Sequence, residues 1–159
     1  MRLEIVKNCP RSPTRLATIA LKSDRLLAYY LSHCTQCQRH TGSAFGESLR
    51  IPAARLQVTG TVRCVERDSD SGLRRQSGFH LACGVWHGAA RSDEINATAG
   101  TLDDTRWLQP AGHIWTVSKQ SLLPIPVGEL SFPGQPASGC EELTERWRLM
   151  FGFDPPDQG

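Results

Sequence analysis

The chain has 159 residues, of which 39% are hydrophobic, and this length and composition fit one globular domain with a sizeable core. Its 18 basic and 16 acidic residues leave a net charge of +2, which gives no argument for binding nucleic acid or an anionic membrane. No apolar run near the N-terminus is as long as a transmembrane helix or a signal peptide requires. We therefore expect a cytoplasmic protein with reduced cysteines, and the sequence leaves its oligomeric state open.

Short strands separated by turns are predicted along most of the chain. Residues 1–25 are expected to be an irregular segment, because Pro10 and Pro13 break any helix there. The apolar and aromatic run 26–31 predicts a buried strand. Further strands are predicted as two short ones over 48–59, a half-buried one over 61–66 that holds Cys64, and one over 95–99. These elements predict a mainly β domain over residues 26–135.

The sequence predicts one helix, within the C-terminal segment 136–159. Ser138 and Glu141 have the spacing of a capping box. Leu143, Trp147 and Met150 then recur at helical spacing and form an apolar stripe. The fold class is therefore mainly β, with a helix and a tail at the C-terminal end.

Two pairs of side chains have the spacing of metal ligands. Cys34-x-x-Cys37 comes first, and His80-x-x-Cys83 follows after 42 intervening residues. Thiolates prefer zinc, imidazole can replace a thiolate, and a structural zinc site needs four ligands, usually from two such turns. The simplest interpretation is one zinc ion bound by Cys34, Cys37, His80 and Cys83.

Other interpretations of these residues stay open. His80 lies between Phe79 and Leu81 and fits an ordinary, half-buried strand histidine. Cys34 and Cys37 also fit a thioredoxin-like dithiol, but that fold needs alternating strands and helices, which the later Pro-rich sequence does not supply. Cys64 needs no function, because a small apolar thiol is common in a strand.

Five segments in order resemble the glutathione-dependent formaldehyde-activating enzyme family, which also includes centromere protein V. The resemblance runs from about Tyr30 to Pro133. The segments that carry it are His33-Cys34-x-x-Cys37-Gln38 to Phe45, Phe79-His80-x-x-Cys83-Gly84, Ala99 to Asp104, Pro110-x-x-His113-Ile114-Trp115, and Lys119.

This resemblance implies a β-tent zinc fold and the addition of glutathione to formaldehyde, a carbon–sulfur lyase chemistry. It implies zinc as the cofactor, with a glutathione-like thiol and an aldehyde as small-molecule partners. It also makes Cys34 and Cys37 zinc ligands of a catalytic site that keeps one position open. Such an open position is what a Lewis-acidic zinc needs to bind a substrate thiolate or water.

The chain departs from the family pattern at the ligand positions. Ser32 replaces the first of three thiolates beside Cys34 and Cys37, and His80 replaces the first thiolate of the later pair. The N-terminal Cys-x-Cys is missing, and Cys9 is the nearest thiol. The family would place Cys34 and Cys37 on one zinc and the later pair on another. These departures keep open a second hypothesis, a catalytically degenerate β-tent domain with a structural zinc or no metal that acts as a binding module.

Overall fold

The structure of the protein is a computed structural model. It describes the backbone of residues 3–8, 18–23, 25–55, 57–59, 63–68, 74–80, 83–89, 93–102 and 104–152. Within these ranges the strands are β1 (Leu3–Asn8), β2 (Thr18–Ser23), β3 (Ala28–Ser32), β4 (Gly46–Pro52), β5 (Gln57–Thr59), β6 (Arg63–Asp68), β7 (Arg74–His80), β8 (Cys83–Ala89), β9 (Glu94–Thr98), β10 (Gly112–Ile114) and β11 (Leu130–Ser131). The α-helices are α1 (Thr35–Thr41) and α2 (Glu141–Phe151). Of the helices in the described ranges, none is long and apolar enough to cross a membrane.

The chain forms two compact units. The first unit consists of residues 1–26 and 47–108, and the second of residues 27–46 and 109–159. Each unit therefore contains two separate stretches of sequence. The domain boundaries predicted at residues 25 and 135 stay a prediction.

Antiparallel sheets make up the first unit. Strands β1, β2 and β5 form a three-stranded sheet in that order. Strands β4, β9, β8, β7 and β6 form a five-stranded sheet in that order. Leu49 and Ile51 of β4 and Ala97 of β9 are fully buried, and alternate with more exposed neighbours. This period of two is what places one face of a strand in a core.

The second unit combines three parallel strands with both helices. Strand β10 lies between β3 and β11 and pairs in parallel with each. Helix α2 packs against β3, where the Trp147 ring meets Tyr29 edge to face with centroids 6.2 Å apart. Leu143 and Trp147 are almost fully buried, so the apolar stripe predicted for this helix does form its packing face.

The backbone at Gly112 leaves no space for a side chain. A Cβ atom there would lie 2.6 Å from the Leu130 carbonyl oxygen and 2.8 Å from both Leu130 Cβ and Leu143 Cδ2. Glycine at the start of β10 therefore allows β11 and α2 to approach this strand closely.

The mainly β fold with a C-terminal helix is confirmed, but several local predictions are wrong. Residues 1–25 are not irregular throughout, because β1 and β2 pair with each other over six positions. Helix α1 was not predicted, because its sequence has no apolar stripe, and none of its residues is buried. Strand β6 forms, yet Cys64 on it is exposed rather than half-buried.

Helix α2 begins later than the capping-box spacing predicted. Its N-cap is Cys140, which has a left-handed conformation (φ 80°) and makes no side-chain cap. The Ser138 hydroxyl instead donates to the Glu142 carboxylate. The prediction of a Ser138 cap is therefore wrong, because the chain makes an additional turn before the helix starts.

Candidate functional site

The Cys34-x-x-Cys37 segment forms the start of α1, directly after β3. Cys34 is the N-cap residue, with extended backbone angles, and its Sγ accepts a hydrogen bond from the Cys37 N–H at 3.1 Å. Gly42 ends the helix in a left-handed conformation, and its N–H donates to the Gln38 carbonyl. Such a C-terminal residue is usually glycine, since other residues are strained there. The local sequence thus fixes both ends of the turn that carries the two thiols.

The two thiols of this turn converge. Cys34 Sγ lies 2.8 Å from Cys37 Sγ, and Cys37 Sγ lies 3.3 Å from the Ser32 hydroxyl oxygen. Neither cysteine is in a disulfide and both are half-exposed, whereas Ser32 is buried. The Gly46 backbone lies against Cys37, since a Cβ on Gly46 would be 3.1 Å from Cys37 Cβ. Two sulfurs and one hydroxyl therefore form a compact cluster, which we call the Ser32–Cys34–Cys37 cluster.

A hydrogen-bonded chain of titratable groups begins at His33, next to Cys34; its two histidines are buried and its carboxylate, Glu129, is half-exposed. His33 Nε2 lies 2.9 Å from His113 Nδ1, and the two rings are stacked with centroids 5.2 Å apart. His113 Nε2 in turn lies 2.6 Å from Glu129 Oε2. Each ring nitrogen can donate or accept according to the tautomer, so the three side chains form one continuous hydrogen-bonded chain.

The environment of His33 favours its neutral form. Burial lowers the pKa of His33 below 6.5, and the nearby positive charges of His113 and Lys119 lower it further. A backbone hydrogen bond with Ala44 opposes the shift only in part. Because the unprotonated ring dominates at neutral pH, His33 adds no positive charge beside Cys34.

Gln38 ties the cysteine turn to the segment that follows β10. Its Nε2 donates to the His33 carbonyl at 2.8 Å and to the Ser118 carbonyl at 2.9 Å. Its Oε1 accepts from Gln120 Nε2 at 3.0 Å. The Ser118 hydroxyl also lies 3.1 Å from the His33 carbonyl. These hydrogen bonds hold the backbone just before Cys34.

The segment after β10 reaches the cysteine turn through a strained residue. Trp115 has left-handed angles (φ 58°, ψ 38°), which cost a non-glycine residue about 1–3 kcal/mol. Its carbonyl accepts from the Ser118 N–H at 3.2 Å. The turn at Trp115 therefore brings Ser118 back toward His33.

The predicted metal ligands fall into both units of the chain. Cys34 and Cys37 belong to the second unit, and His80 and Cys83 to the first. His80 ends β7 and is the register partner of Cys83 at the start of β8, so their backbones face each other across a hairpin. The side chains of His80 and Cys83, and all of Cys9, lie outside the described residues. A single four-ligand site therefore stays a prediction.

These observations define a class of mainly β protein in which two neighbouring thiols lie at the start of a short helix. A family model described as glutathione-dependent formaldehyde-activating enzyme matches residues 17–118. Because that match covers more than half of the chain, the protein belongs to this family. No curated protein matches it.

The Ser32–Cys34–Cys37 cluster fits part of a zinc site. Two converging sulfurs are soft donors of the kind that zinc prefers. The third side chain is a neutral hydroxyl, which loses its proton with difficulty and is a weak ligand. Among the described side chains, no group of three or more His, Cys, Asp or Glu is arranged to hold a metal ion. The cluster therefore supplies two good ligands, and further ones must come from other residues or from solvent.

Sequence reasoning missed the residues that reach this site from a distance. Glu129 belongs to no motif in the sequence, and His113 enters only as part of a segment that carries the family resemblance. Their contact spans 16 residues, and the contact of His113 with His33 spans 80. The available signal for Glu129 was its position as a lone acidic residue in a proline-rich stretch.

Proposed function

We propose that the protein adds a glutathione-like thiol to formaldehyde or a similar small aldehyde, with zinc bound by Cys34 and Cys37. Membership of the formaldehyde-activating family supports the reaction class. The observation that carries the proposal is the convergence of the two thiols, 2.8 Å apart, inside the family-matched segment. His80 and Cys83 are the proposed ligands that complete this site or form a second one.

The proposed reaction is balanced without an external oxidant. The thiol sulfur forms a bond to the aldehyde carbon, the carbon–oxygen π bond breaks, and the thiol proton passes to the aldehyde oxygen. The chemistry that zinc supplies at such a site is stabilisation of a thiolate and polarisation of a carbonyl. The product is an S-hydroxymethyl thioether, and the reverse reaction is a carbon–sulfur lyase step.

The protein's own residues would position and insulate the paired thiols. Gln38 and Ser118 fix the carbonyl of His33, so the backbone that leads into Cys34 has little freedom. Neutral His33, held by His113, keeps a buried positive charge away from the sulfurs. Preorganisation of this kind lowers the barrier, because the reacting groups need not be ordered during the reaction.

The cytoplasmic location stays a prediction.

The test measures zinc and adduct formation in the same preparations. Zinc per chain is determined by elemental analysis for the native protein, Cys34→Ala and the control Cys64→Ala. Cys64 is an exposed thiol on β6, so its removal should change neither quantity. Adduct formation from glutathione and formaldehyde is followed by NMR above the uncatalysed rate. We expect the Cys34→Ala variant alone to lose zinc and rate. Native protein that holds zinc but gives no rate above background refutes the proposal.

One observation favours a second candidate, a degenerate binding domain without catalysis. Ser32, a hydroxyl, stands 3.3 Å from Cys37 Sγ at the position where the family has a third thiolate. The variant Ser32→Cys separates the two candidates. A degenerate domain, with a structural zinc or no metal, should gain adduct activity on this change from a native value near zero. An active enzyme should already show adduct activity with serine in place.

A further inference from the structure

We propose that one face of the antiparallel strand pair β6–β7 binds a small oxyanion, a phosphate or carboxylate group, at the positions of Arg67, Arg75 and Ser77. Both strands belong to the first unit. None of the three residues is a proposed zinc ligand or takes part in the adduct reaction, so this inference goes beyond the proposed function.

The charged residues of this strand pair are divided between the two faces of the sheet. Successive residues of a strand alternate between the faces, and register partners share a face. The acidic residues Glu66 and Asp68 therefore share a face with Arg74, whose Nε lies 3.0 Å from Glu66 Oε2. The opposite face carries three arginine positions and no acidic position of either strand: Arg63, Arg67 and Arg75. We call this opposite face the basic face of β6–β7.

Arg75 on the basic face lacks an anionic partner. It is half-buried, and it forms no ion pair with any side chain that the structure describes. Its register partner is Arg67, and like charges directly opposite each other in an antiparallel pair are destabilising. An anion bound between these two positions removes that repulsion. A guanidinium suits carboxylate and phosphate groups in particular, because it donates two parallel hydrogen bonds to either.

The Ser77 hydroxyl is the observation that points to a bound group. Ser77 lies two residues from Arg75 on the same face and is only 3% exposed. Its Oγ is buried and has no hydrogen-bond partner in the described part of the chain. Nearly all buried polar groups in proteins bond to protein, water or an ion, so this hydroxyl lacks the partner expected for it. An oxyanion is an acceptor, and a serine hydroxyl can donate to it.

The basic face is open on the β6 side of Ser77. Val65, the register partner of Ser77, is 46% exposed. Positions two residues apart on a strand lie about 6.6 Å apart, so the Ser77–Val65 and Arg75–Arg67 rows leave between them the width of a group of a few atoms. Because the Ser77 hydroxyl itself is covered, a side chain beside it must rotate to admit the ion, and Arg75 has the rotamer freedom to do so.

The experiment measures the binding of two probes, inorganic phosphate and acetate, to the full chain at constant ionic strength, with chloride as the reference anion. An ion that binds the folded chain raises the midpoint temperature of thermal unfolding. We expect a saturable rise with at least one probe, and the probe that gives it identifies the group as phosphate or carboxylate.

Two variants and a matched control locate the site. Arg75→Gln and Ser77→Ala should each weaken binding by about tenfold or more, because each loses a hydrogen bond to a charged group. Arg74→Gln changes the neighbouring arginine on the opposite face and should bind as the native chain does. Without anion, Ser77→Ala should be as stable as the native chain, because the hydroxyl that it removes has no partner there.

Three results would overturn the proposal: no saturable response to either probe, native affinity in Arg75→Gln or Ser77→Ala, or an equal loss of affinity in Arg74→Gln. The last result would show a general effect of surface charge and not a site. The assay contains no thiol or aldehyde, so its failure leaves the adduct proposal untouched, and a chain without adduct activity can still bind the anion.

Discussion

Replacing Gly112 with alanine tests how closely β10 is packed in the second unit. The added Cβ would meet the Leu130 carbonyl oxygen at 2.6 Å and Leu143 Cδ2 at 2.8 Å, whereas carbon contacts are normally about 3.5–4.0 Å. One of these atoms is backbone and the other belongs to a fully buried side chain, so neither can move freely. Overpacking of this kind costs about 1–3 kcal/mol of unfolding free energy. We therefore expect Gly112→Ala to be destabilised by that amount.

Urea unfolding of the full chain measures this change, with Gly134→Ala as the matched control. A Cβ on Gly134 would meet nothing within 4 Å, and Gly134 is not in a left-handed conformation. The control should therefore stay within about 0.5 kcal/mol of the native protein or gain up to about 1 kcal/mol. The midpoint temperature of thermal unfolding should fall by about 2–4 °C for each kcal/mol of unfolding free energy that Gly112→Ala loses. Equal stability of the two variants would refute the close approach at β10.

Two further predictions concern α2 and an exposed turn. Trp147→Ala removes an almost fully buried ring and should lower the unfolding free energy in urea by about 3–5 kcal/mol. Leu149→Ala, at a 71% exposed position of the same helix, should lower it by less than about 0.5 kcal/mol. Similar losses in the two variants would refute the assigned packing face. The Arg106 guanidinium donates to Asp104 and lowers the pKa of that carboxyl from 3.8 to about 2. The small contribution of the Arg106–Asp104 ion pair to folding stability is therefore present above pH 4 and is lost as the pH falls toward 2. NMR titration should give that pKa in the native chain and a value nearer 3.8 in Arg106→Ala; no difference would refute the ion pair.

The parts of the fold that follow from local pattern were predictable from sequence. The apolar run 26–31 predicted β3, because a continuous apolar run is typical of a buried strand. The alternation at 95–99 predicted β9, because successive side chains of a strand point to opposite faces. The stripe of Leu143 and Trp147 led to α2 for the same kind of reason, with a period near four. The register of β1 and β2 was missed, since it depends on pairing between strands and not on either strand alone.

The candidate site divides in the same way. The sequence spacing alone identified Cys34 and Cys37 as a pair, because residues three positions apart lie on the same turn of a helix. It could not identify Glu129, whose role depends on β10 placing His113 between it and His33. Spacing also could not decide whether His80 and Cys83 bind the same metal ion as Cys34 and Cys37. The hairpin of β7 and β8 explains only why His80 and Cys83 lie opposite each other.

The second unit contains a stretch of chain from each side of residues 47–108, and this has a consequence during synthesis. His33 and His113 are 80 residues apart, so β3 cannot pair with β10 until that much more chain has been made. At about 5–20 residues per second, the delay is roughly 4–16 s. The turn that carries Cys34 and Cys37 needs only neighbouring residues and can form first. A nascent chain therefore exposes its two thiols several seconds before the hydrogen-bonded chain of His33, His113 and Glu129 beside them is assembled.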